Sequence, residues 1–141
     1  MKCFSTSTNI QAAPETIWDI LVDGTKWVQW NTTIVKVEGK IALGETVTVY
    51  TKIDPERAFS VKVSEMVPHQ RMVWTGKMPL GLFKGERTYS LSKQINGSVE
   101  FSMKEIFSGL MAPLIAKSIP DLQPSFDEFA AALKRKAEET A

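Results

Sequence analysis

The chain has 141 residues, of which 43% are hydrophobic and 23% are charged, and its formal net charge is +1 at pH 7. This length predicts one domain over residues 1–141 that buries a core without cross-links. The balanced charge argues against a nucleic-acid partner, because such proteins carry a basic surface. A single cysteine and the lack of a long apolar run favour a cytoplasmic protein without stable membrane insertion.

The sequence has few residues that could bind a metal ion or a cofactor. The one histidine, His69, lies in "MVPHQRM", which is typical of a turn between strands, and the one cysteine is Cys3. Neither residue belongs to a cluster with metal-ligand spacing, and no glycine-rich loop has phosphate-binding spacing. We therefore expect neither a metal site nor a cofactor.

The N-terminal third reads as a strand followed by two helices. "CFSTSTNIQ" alternates and is rich in β-branched residues, which indicates a strand. "APETIWDILVD" places Pro14 at a first helical position, and Gly24 follows the helix. "TKWVQW" indicates a second, short helix, and we assign Trp27 and Trp30 to the packing of this region against a sheet.

Six further strands follow, separated by short turns that contain Gly, Asn-Gly, Asp-Pro or Pro-His. No connection is long enough to hold a crossover helix, so the strands must pair antiparallel. The strands are "TTIVKVEG", "GETVTVYTKI", "RAFSVKVSEMV", "RMVWTGK", "GERTYSLSKQ" and "SVEFSMKEIF". Their alternation makes one face apolar and the other polar, so one face needs a cover.

The last segment supplies that cover as a helix from about Ala112 to Glu139. Pro120 and Pro124 interrupt the helical pattern, which predicts a kink or a break between Ser118 and Ser125. Its apolar residues recur in steps of three and four, as on one helical face: Ile115, Ile119, Leu122, Phe126, Phe129, Leu133 and Ala137.

Two charged residues lie in the apolar phase of their strands. A three-residue "ING" hairpin with Gly97 in the left-handed conformation pairs Arg87 with Glu105. An isolated buried charge is costly, so we predict an ion pair. Its role is either structural or the binding of a carbonyl or carboxylate.

The order of elements and four segments resemble the START/polyketide cyclase-dehydrase superfamily, also known as the SRPBCC or birch-pollen-allergen-like superfamily. These segments are "APETIWDILVDGTKWVQWN", "GETVTV", "MVWTGKMPLGLFKGERTYSL" and "KEIFSGLMAPLI". The resemblance implies an α+β helix-grip fold, in which a seven-stranded curved antiparallel sheet (β-α-α-β6-α) wraps around a long C-terminal helix. Thr32 stands where many relatives have proline, and Met103 where many have histidine.

The resemblance also implies a cavity between the sheet and the last helix. Its predicted lining is Phe59, Val61, Met72, Trp74, Arg87, Tyr89, Met103, Glu105, Phe107, Ile115, Ile119 and Leu122. Six apolar residues on the connections form a predicted rim, either as a gate or as an interface: Met78, Leu80, Leu82, Phe83, Leu110 and Met111.

These expectations favour a protein that binds a lipid-, polyketide- or isoprenoid-like small molecule, as a monomer or weak homodimer. One alternative is a polyketide cyclase/dehydrase-type enzyme that uses Arg87 and Tyr89 to polarise a carbonyl and Glu105 to transfer a proton. The scarcity of acid-base groups argues against it, since His69 is misplaced and Met103 replaces the inner histidine. The other alternative is a chaperone-activator-like module that uses the rim as an interface.

Overall fold

The computed structural model describes residues 2–140; Met1 and Ala141, the two ends of the predicted domain, lie outside the described residues. The described residues contain four α-helices: α1 (Pro14–Val22), α2 (Trp27–Trp30), α3 (Ala112–Ile115) and α4 (Gln123–Thr140). The strands are β1 (Lys2–Ile10), β2 (Ile34–Glu38), β3 (Thr46–Thr51), β4 (Phe59–Val67), β5 (Arg71–Lys77), β6 (Lys84–Lys93) and β7 (Val99–Ser108).

All seven strands form one antiparallel sheet in the order β1-β7-β6-β5-β4-β3-β2. The predicted element order and the antiparallel pairing are therefore confirmed. The β6–β7 hairpin has the predicted register, with Arg87 opposite Glu105, and Gly97 adopts a φ of +87°. Tyr89 and Phe101, on the apolar phase of these strands, are fully buried.

The C-terminal segment differs from the single kinked helix predicted from Ala112 to Glu139. A short 3₁₀ turn at Ala116–Ser118 follows α3, the chain becomes extended at Ile119, and α4 begins only at Gln123. The break falls inside the predicted interval. Pro124 lies in the first turn of α4, where its missing N–H has no partner to lose.

Helix α4 covers the sheet with the predicted apolar face, on which Phe126, Phe129, Leu133 and Ala137 are buried. Residues of this helix also hold the edge strand β1 by hydrogen bonds. Thr6 Oγ1 donates to Asp127 Oδ1 at 2.9 Å. Gln123 Nε2 donates to Ser5 O at 2.7 Å and Lys134 Nζ to Asn9 O at 2.5 Å, so α4 pairs two backbone carbonyls of this edge strand.

The two short N-terminal helices close the other end of the sheet. Ile17, Trp18 and Leu21 are the buried residues of α1, and Trp27 is 1% exposed at the start of α2. Trp27 Nε1 donates a hydrogen bond to Leu21 O at 3.0 Å, which fixes the two helices together. Trp27 packs against the sheet as predicted, because its ring contacts Trp74 of β5 and Tyr89 of β6. The ring contacts of Trp30 are instead with Trp27 and with Phe129 of α4.

Candidate functional site

The concave face of the sheet carries its only internal ion pair among residues 2–140, between β6 and β7. Arg87 Nε donates to Glu105 Oε1 at 3.1 Å, and Arg87 Nη2 donates to Glu105 Oε2 at 3.3 Å. The two side chains are 28% and 14% exposed. This two-point contact is the geometry in which a guanidinium binds a carboxylate best, and solvent still reaches both groups.

Burial and the neighbouring charge shift the pKa of Arg87 in opposite directions. Burial favours the neutral form, but the attraction of Glu105 outweighs it, so the pKa of Arg87 lies above its usual value. The guanidinium also lies over the ring of Phe126, with Cζ 4.9 Å from the ring centroid. Arg87 is therefore a permanent cation that is held by one carboxylate and one aromatic face.

The register places this pair in a continuous row of residues across the sheet. Phe4 lies opposite Glu105, Arg87 lies opposite Trp74, and Trp74 lies opposite Val63. The row therefore changes from apolar to charged and back to apolar. A ligand over its centre would meet charge at two positions and apolar surface on both sides.

The next row towards the interior is filled by side chains. Met72 and Tyr89 are 0% exposed and Met103 is 1% exposed. A side chain that lines a water-sized void would keep accessible surface, so no such void touches these three residues. This part of the predicted lining forms a packed core.

Aromatic rings account for that packing. The rings of Trp27 and Trp74 are stacked, with centroids 5.5 Å apart and planes 12° apart. Tyr89 meets Trp74 at 5.1 Å and Phe129 at 5.9 Å. Phe101 stacks on Phe129 at 6.0 Å and is the fifth ring of this cluster.

Two polar atoms of this inner region are buried without a hydrogen-bond partner among the described residues. They are the Tyr89 hydroxyl and Trp74 Nε1. Burial raises the pKa of Tyr89, and the charge of Arg87 opposes part of that shift. The phenol therefore keeps its proton at neutral pH and remains available as a donor.

The row towards the opening has two facing glycines in its middle. Gly76 lies opposite Gly85, so neither strand places a side chain there. Phe107 leans over Gly85, where a Cβ would come within 3.2 Å of the Phe107 ring, and Val61 leans over Gly76, where a Cβ would come within 3.3 Å of Val61. The side chains of Phe107 and Val61 therefore occupy the space that the two glycines leave.

The remaining lining residues lie at this open end. Phe107 is 9% exposed, Ile119 and Leu122 are partly buried against the core, and Ile115 is half-buried. Phe59 is more exposed, at 38%, and packs under the Arg57 guanidinium, with 4.9 Å between Cζ and the ring centroid. We call the partly exposed surface formed by Arg87, Glu105, Phe107, Ile119 and Leu122 the anchor cleft.

The predicted rim residues lie on the connections beside the anchor cleft. Met78, Leu80 and Leu110 are exposed, whereas Leu82, Phe83 and Met111 are half-buried. Phe83 is stacked on Phe107, with centroids 5.7 Å apart. The rim is thus divided into an outer apolar surface and an inner part that supports the cleft.

Sequence reasoning did not assign Phe4 or Phe126 to the site. Both contribute to it, because Phe4 lies 6.4 Å from Phe107 and 6.0 Å from Phe126, measured between ring centroids. Their positions in the apolar phase of β1 and of the helix stripe were the available signals. What the sequence did not show is that Arg87 would lie on the Phe126 ring.

Two other grooves lie outside this region, and no predicted lining residue except Val61 reaches them. One, of about 400 Å³, is lined by residues of α1, α2 and the end of α4, including Asp19, Trp30 and Lys136. The other, of about 420 Å³, lies against β3, β4 and β5. Among residues 2–140, no group of three or more His, Cys, Asp or Glu side chains could hold a metal ion.

Comparison with known families identifies the fold. Residues 1–138 match the family model described as polyketide cyclase / dehydrase and lipid transport. The chain belongs to this family. No curated protein matches the sequence. The model spans all seven strands and nearly all of α4, so the relationship covers the whole anchor cleft.

Solved structures agree on the fold at low sequence identity. A START superfamily protein from Mycobacterium smegmatis has a TM-score of 0.70 at 16% identity, with 99% of both chains covered. A hypothetical protein from Helicobacter pylori has a TM-score of 0.77 at 15% identity, covering 96% of this chain and 88% of that one. The Aha1 dimer from Colwellia psychrerythraea has a TM-score of 0.71 at 18% identity, covering 98% and 97%.

The helix-grip architecture expected from the sequence is therefore confirmed. At these identities the likeness concerns the fold, and it does not carry a ligand or a reaction to this chain. None of the helices in residues 2–140 is both long and apolar enough to cross a membrane.

Proposed function

We propose that the protein binds a hydrophobic small molecule that carries an oxygen acceptor, and that the anchor cleft is its site. The observation that carries this proposal is the solvent-accessible Arg87–Glu105 pair on an otherwise apolar concave surface. A buried structural pair does not need access to solvent. A charged pair framed by Phe107, Phe126 and Ile119 can orient a polar group while the rings hold an apolar body.

The chemistry of the donors favours a carbonyl or a carboxylate as the polar group. Arg87 has N–H groups beyond the two that Glu105 receives, and a guanidinium cannot lose its proton under ordinary conditions. The Tyr89 hydroxyl and Trp74 Nε1 are also donors without a partner among the described residues, but they lie in the packed interior. The remaining N–H groups of Arg87 are the donors that a ligand can reach, and they recognise an oxygen acceptor.

Room for the ligand must come from the open side. Met72, Tyr89 and Met103 fill the interior. The apolar body therefore lies against Phe107 and the extended break before α4. Lys2 Nζ donates to Ile119 O at 3.3 Å, and this contact ties the break to β1. Displacement of this short, non-helical segment deepens the cleft at lower cost than opening α4.

Catalysis of the cyclase/dehydrase type has weaker support. Glu105 already accepts two hydrogen bonds from Arg87, so both of its oxygens are engaged in that contact, as in a group that positions Arg87. Tyr89 is held in its neutral form, which suits a donor and not a base. We therefore place binding ahead of chemistry at this site.

Displacement of an apolar fluorescent probe by long-chain carboxylic acids and ketones tests this proposal. We expect binding by the wild type, loss of binding in Ile119→Trp, and loss of the preference for the oxygenated compounds over plain hydrocarbons in the double variant Arg87→Met/Glu105→Met. Leu43→Trp, on the exposed β2–β3 connection, is the control for an added indole. Equal probe binding in wild type and Ile119→Trp would contradict the assignment of the site. Native mass spectrometry of protein purified from its own cell identifies the bound molecule.

A further inference from the structure

Two connections at the open end of the sheet are held against each other. Leu110 N donates to Gly81 O at 3.2 Å, and Met111 N donates to Leu82 O at 2.7 Å. Gly109 has a φ of +113°, and a Cβ there would lie 2.7 Å from Leu82 O, so a side chain cannot be accommodated. We call residues 78–83 and 109–114 the rim loops, and they form one continuous surface.

The rim loops present large apolar side chains to solvent. Leu80 is 90% exposed, Leu110 is 81% exposed and Leu114 is 63% exposed. Leu80 also has a φ of +61°, a conformation that leucine rarely adopts. Exposed apolar groups concentrated on two adjoining loops, one of them in a strained conformation, mark an interaction surface.

The charges around this surface have one sign. Residues 77–85 and 106–120 contain Lys77, Lys84 and Lys117 and no Asp or Glu. Two acidic residues flank these ranges in ion pairs: Glu86 pairs with Lys84 at 3.2 Å, and Glu105 pairs with Arg87. Lys77 and Lys117 form no ion pair among the described residues. Asp121 accepts a hydrogen bond from Gln123 N at the start of α4.

We propose that the rim loops dock on the surface of an anionic lipid bilayer, where their leucines enter the headgroup region and the lysines face the lipid phosphates. Leucines that protrude from turns penetrate a soft interface, whereas a protein partner would need a matching set of pockets. Lys77 and Lys117, which form no ion pair among the described residues, complement an anionic surface. The attachment is peripheral, and it goes beyond the proposed function because it does not require a ligand in the anchor cleft.

Co-sedimentation with vesicles tests the leucines. We expect the wild type to pellet with phosphatidylcholine vesicles that contain phosphatidylglycerol, and the double variant Leu80→Asn/Leu110→Ser to bind about tenfold or more weakly, because two apolar side chains no longer enter the interface. Asparagine tolerates a positive φ, so the loop keeps its conformation. An unchanged Tm shows that the variant is folded.

The matched control is Ile95→Ser. Ile95 is fully exposed on the β6–β7 hairpin, at the end of the sheet opposite to the rim loops. Its removal deletes a comparable apolar side chain and should leave vesicle binding unchanged. An equal loss in both variants would indicate non-specific adsorption and overturn the proposal.

The lysines give a second, independent readout. Lys77→Gln/Lys117→Gln should weaken binding to the phosphatidylglycerol vesicles by about fivefold for each lysine and leave the weak binding to pure phosphatidylcholine unchanged. Added salt should reduce wild-type binding in the same way.

The proposal is overturned if the wild type does not pellet at low salt, or if Leu80→Asn/Leu110→Ser pellets like the wild type. It is also overturned in favour of a protein contact if that variant only turns a dimer into a monomer in analytical ultracentrifugation.

Discussion

The two ends of the concave face are built from the same strands but differ in what fills them. At the inner end, Trp27 stacks on Trp74, and Phe129 enters the same cluster of rings. At the open end, facing glycines replace side chains and an ion pair remains accessible. Helix α4 supplies Phe129 to the inner end and Phe126 to the Arg87 side chain, and the chain before Gln123 is extended at Ile119. A fold of this kind can therefore place its stability in one half and its recognition in the other.

The largest expected effect tests this division directly. Phe129→Ala removes a ring whose centroid lies 5.4 Å from Trp27, 5.6 Å from Trp30 and 5.9 Å from Tyr89. We expect a loss of about 3–5 kcal/mol in the free energy of unfolding, since the cavity cannot close against rigid rings. Urea denaturation measures this loss.

The matched change at the open end is Leu114→Ala. Leu114 is exposed on α3, so its truncation should change the free energy of unfolding by no more than about 0.5 kcal/mol. Similar losses in the two variants would show that stability is spread evenly over both ends, and the comparison would then fail.

A second effect concerns the ion pair. Arg87→Met leaves the Glu105 carboxylate among apolar groups, and removing one partner of a buried pair costs about 3–5 kcal/mol. The partial exposure of both side chains reduces the expected cost to about 2–3 kcal/mol. Arg87→Met/Glu105→Met should recover most of it, because no charge is left behind. A double-mutant cycle in urea checks this, and losses that simply add would show that the pair is not coupled.

Much of the fold could be predicted from the sequence because local patterns determine it. The alternation in β6 and β7, together with the short hairpin at Gly97, gave the pairing of Arg87 with Glu105. Backbone chemistry also predicted an interruption near Pro120, since proline lacks the donor that a helix needs. These features depend on neighbours in the chain.

The filling of the interior could not be predicted in the same way. Met72, Trp74 and Tyr89 have the same alternation whether they line a cavity or a core. Which occurs depends on how far Trp27 and Phe129 reach from two distant segments, and only the folded arrangement shows this. The length of the break after Ser118 also depends on tertiary contacts, because Lys2 Nζ of β1 donates a hydrogen bond to Ile119 O.

A third, smaller effect compares the cost of adding a large side chain in the packed interior and beside the anchor cleft. Met72 is fully buried, so Met72→Trp should lower the free energy of unfolding by about 1–3 kcal/mol, as overpacking does. Ile119 is only partly buried beside the cleft, and Ile119→Trp should cost less than about 1 kcal/mol. Thermal and urea denaturation of both variants measure this. If Met72→Trp lowered the free energy of unfolding no more than Ile119→Trp does, there would be unfilled space beside Met72.

The smallest effect concerns a polar contact near the inner end, where the C-terminus of α4 meets the chain after β1. Glu138 Oε2 accepts a hydrogen bond from Gln11 N at 2.9 Å and another from Lys134 Nζ at 2.9 Å. These contacts, first of all the backbone N–H, hold the pKa of Glu138 below its usual value.

The sign of the pH dependence follows from that shift. As the pH falls below the usual glutamate value of about 4.3, the unfolded chain takes up a proton before the folded protein does, so unfolding becomes easier. The contribution of Glu138 is therefore complete at neutral pH and is lost as the pH falls through the lowered pKa. Glu138→Gln should be slightly less stable than the wild type at pH 7 and equal to it at strongly acidic pH. Glu139→Gln, one residue further along and exposed, is the control for the loss of a surface carboxylate. A constant difference between Glu138→Gln and the wild type at all pH values would assign the effect to the lost contact geometry and not to the charge.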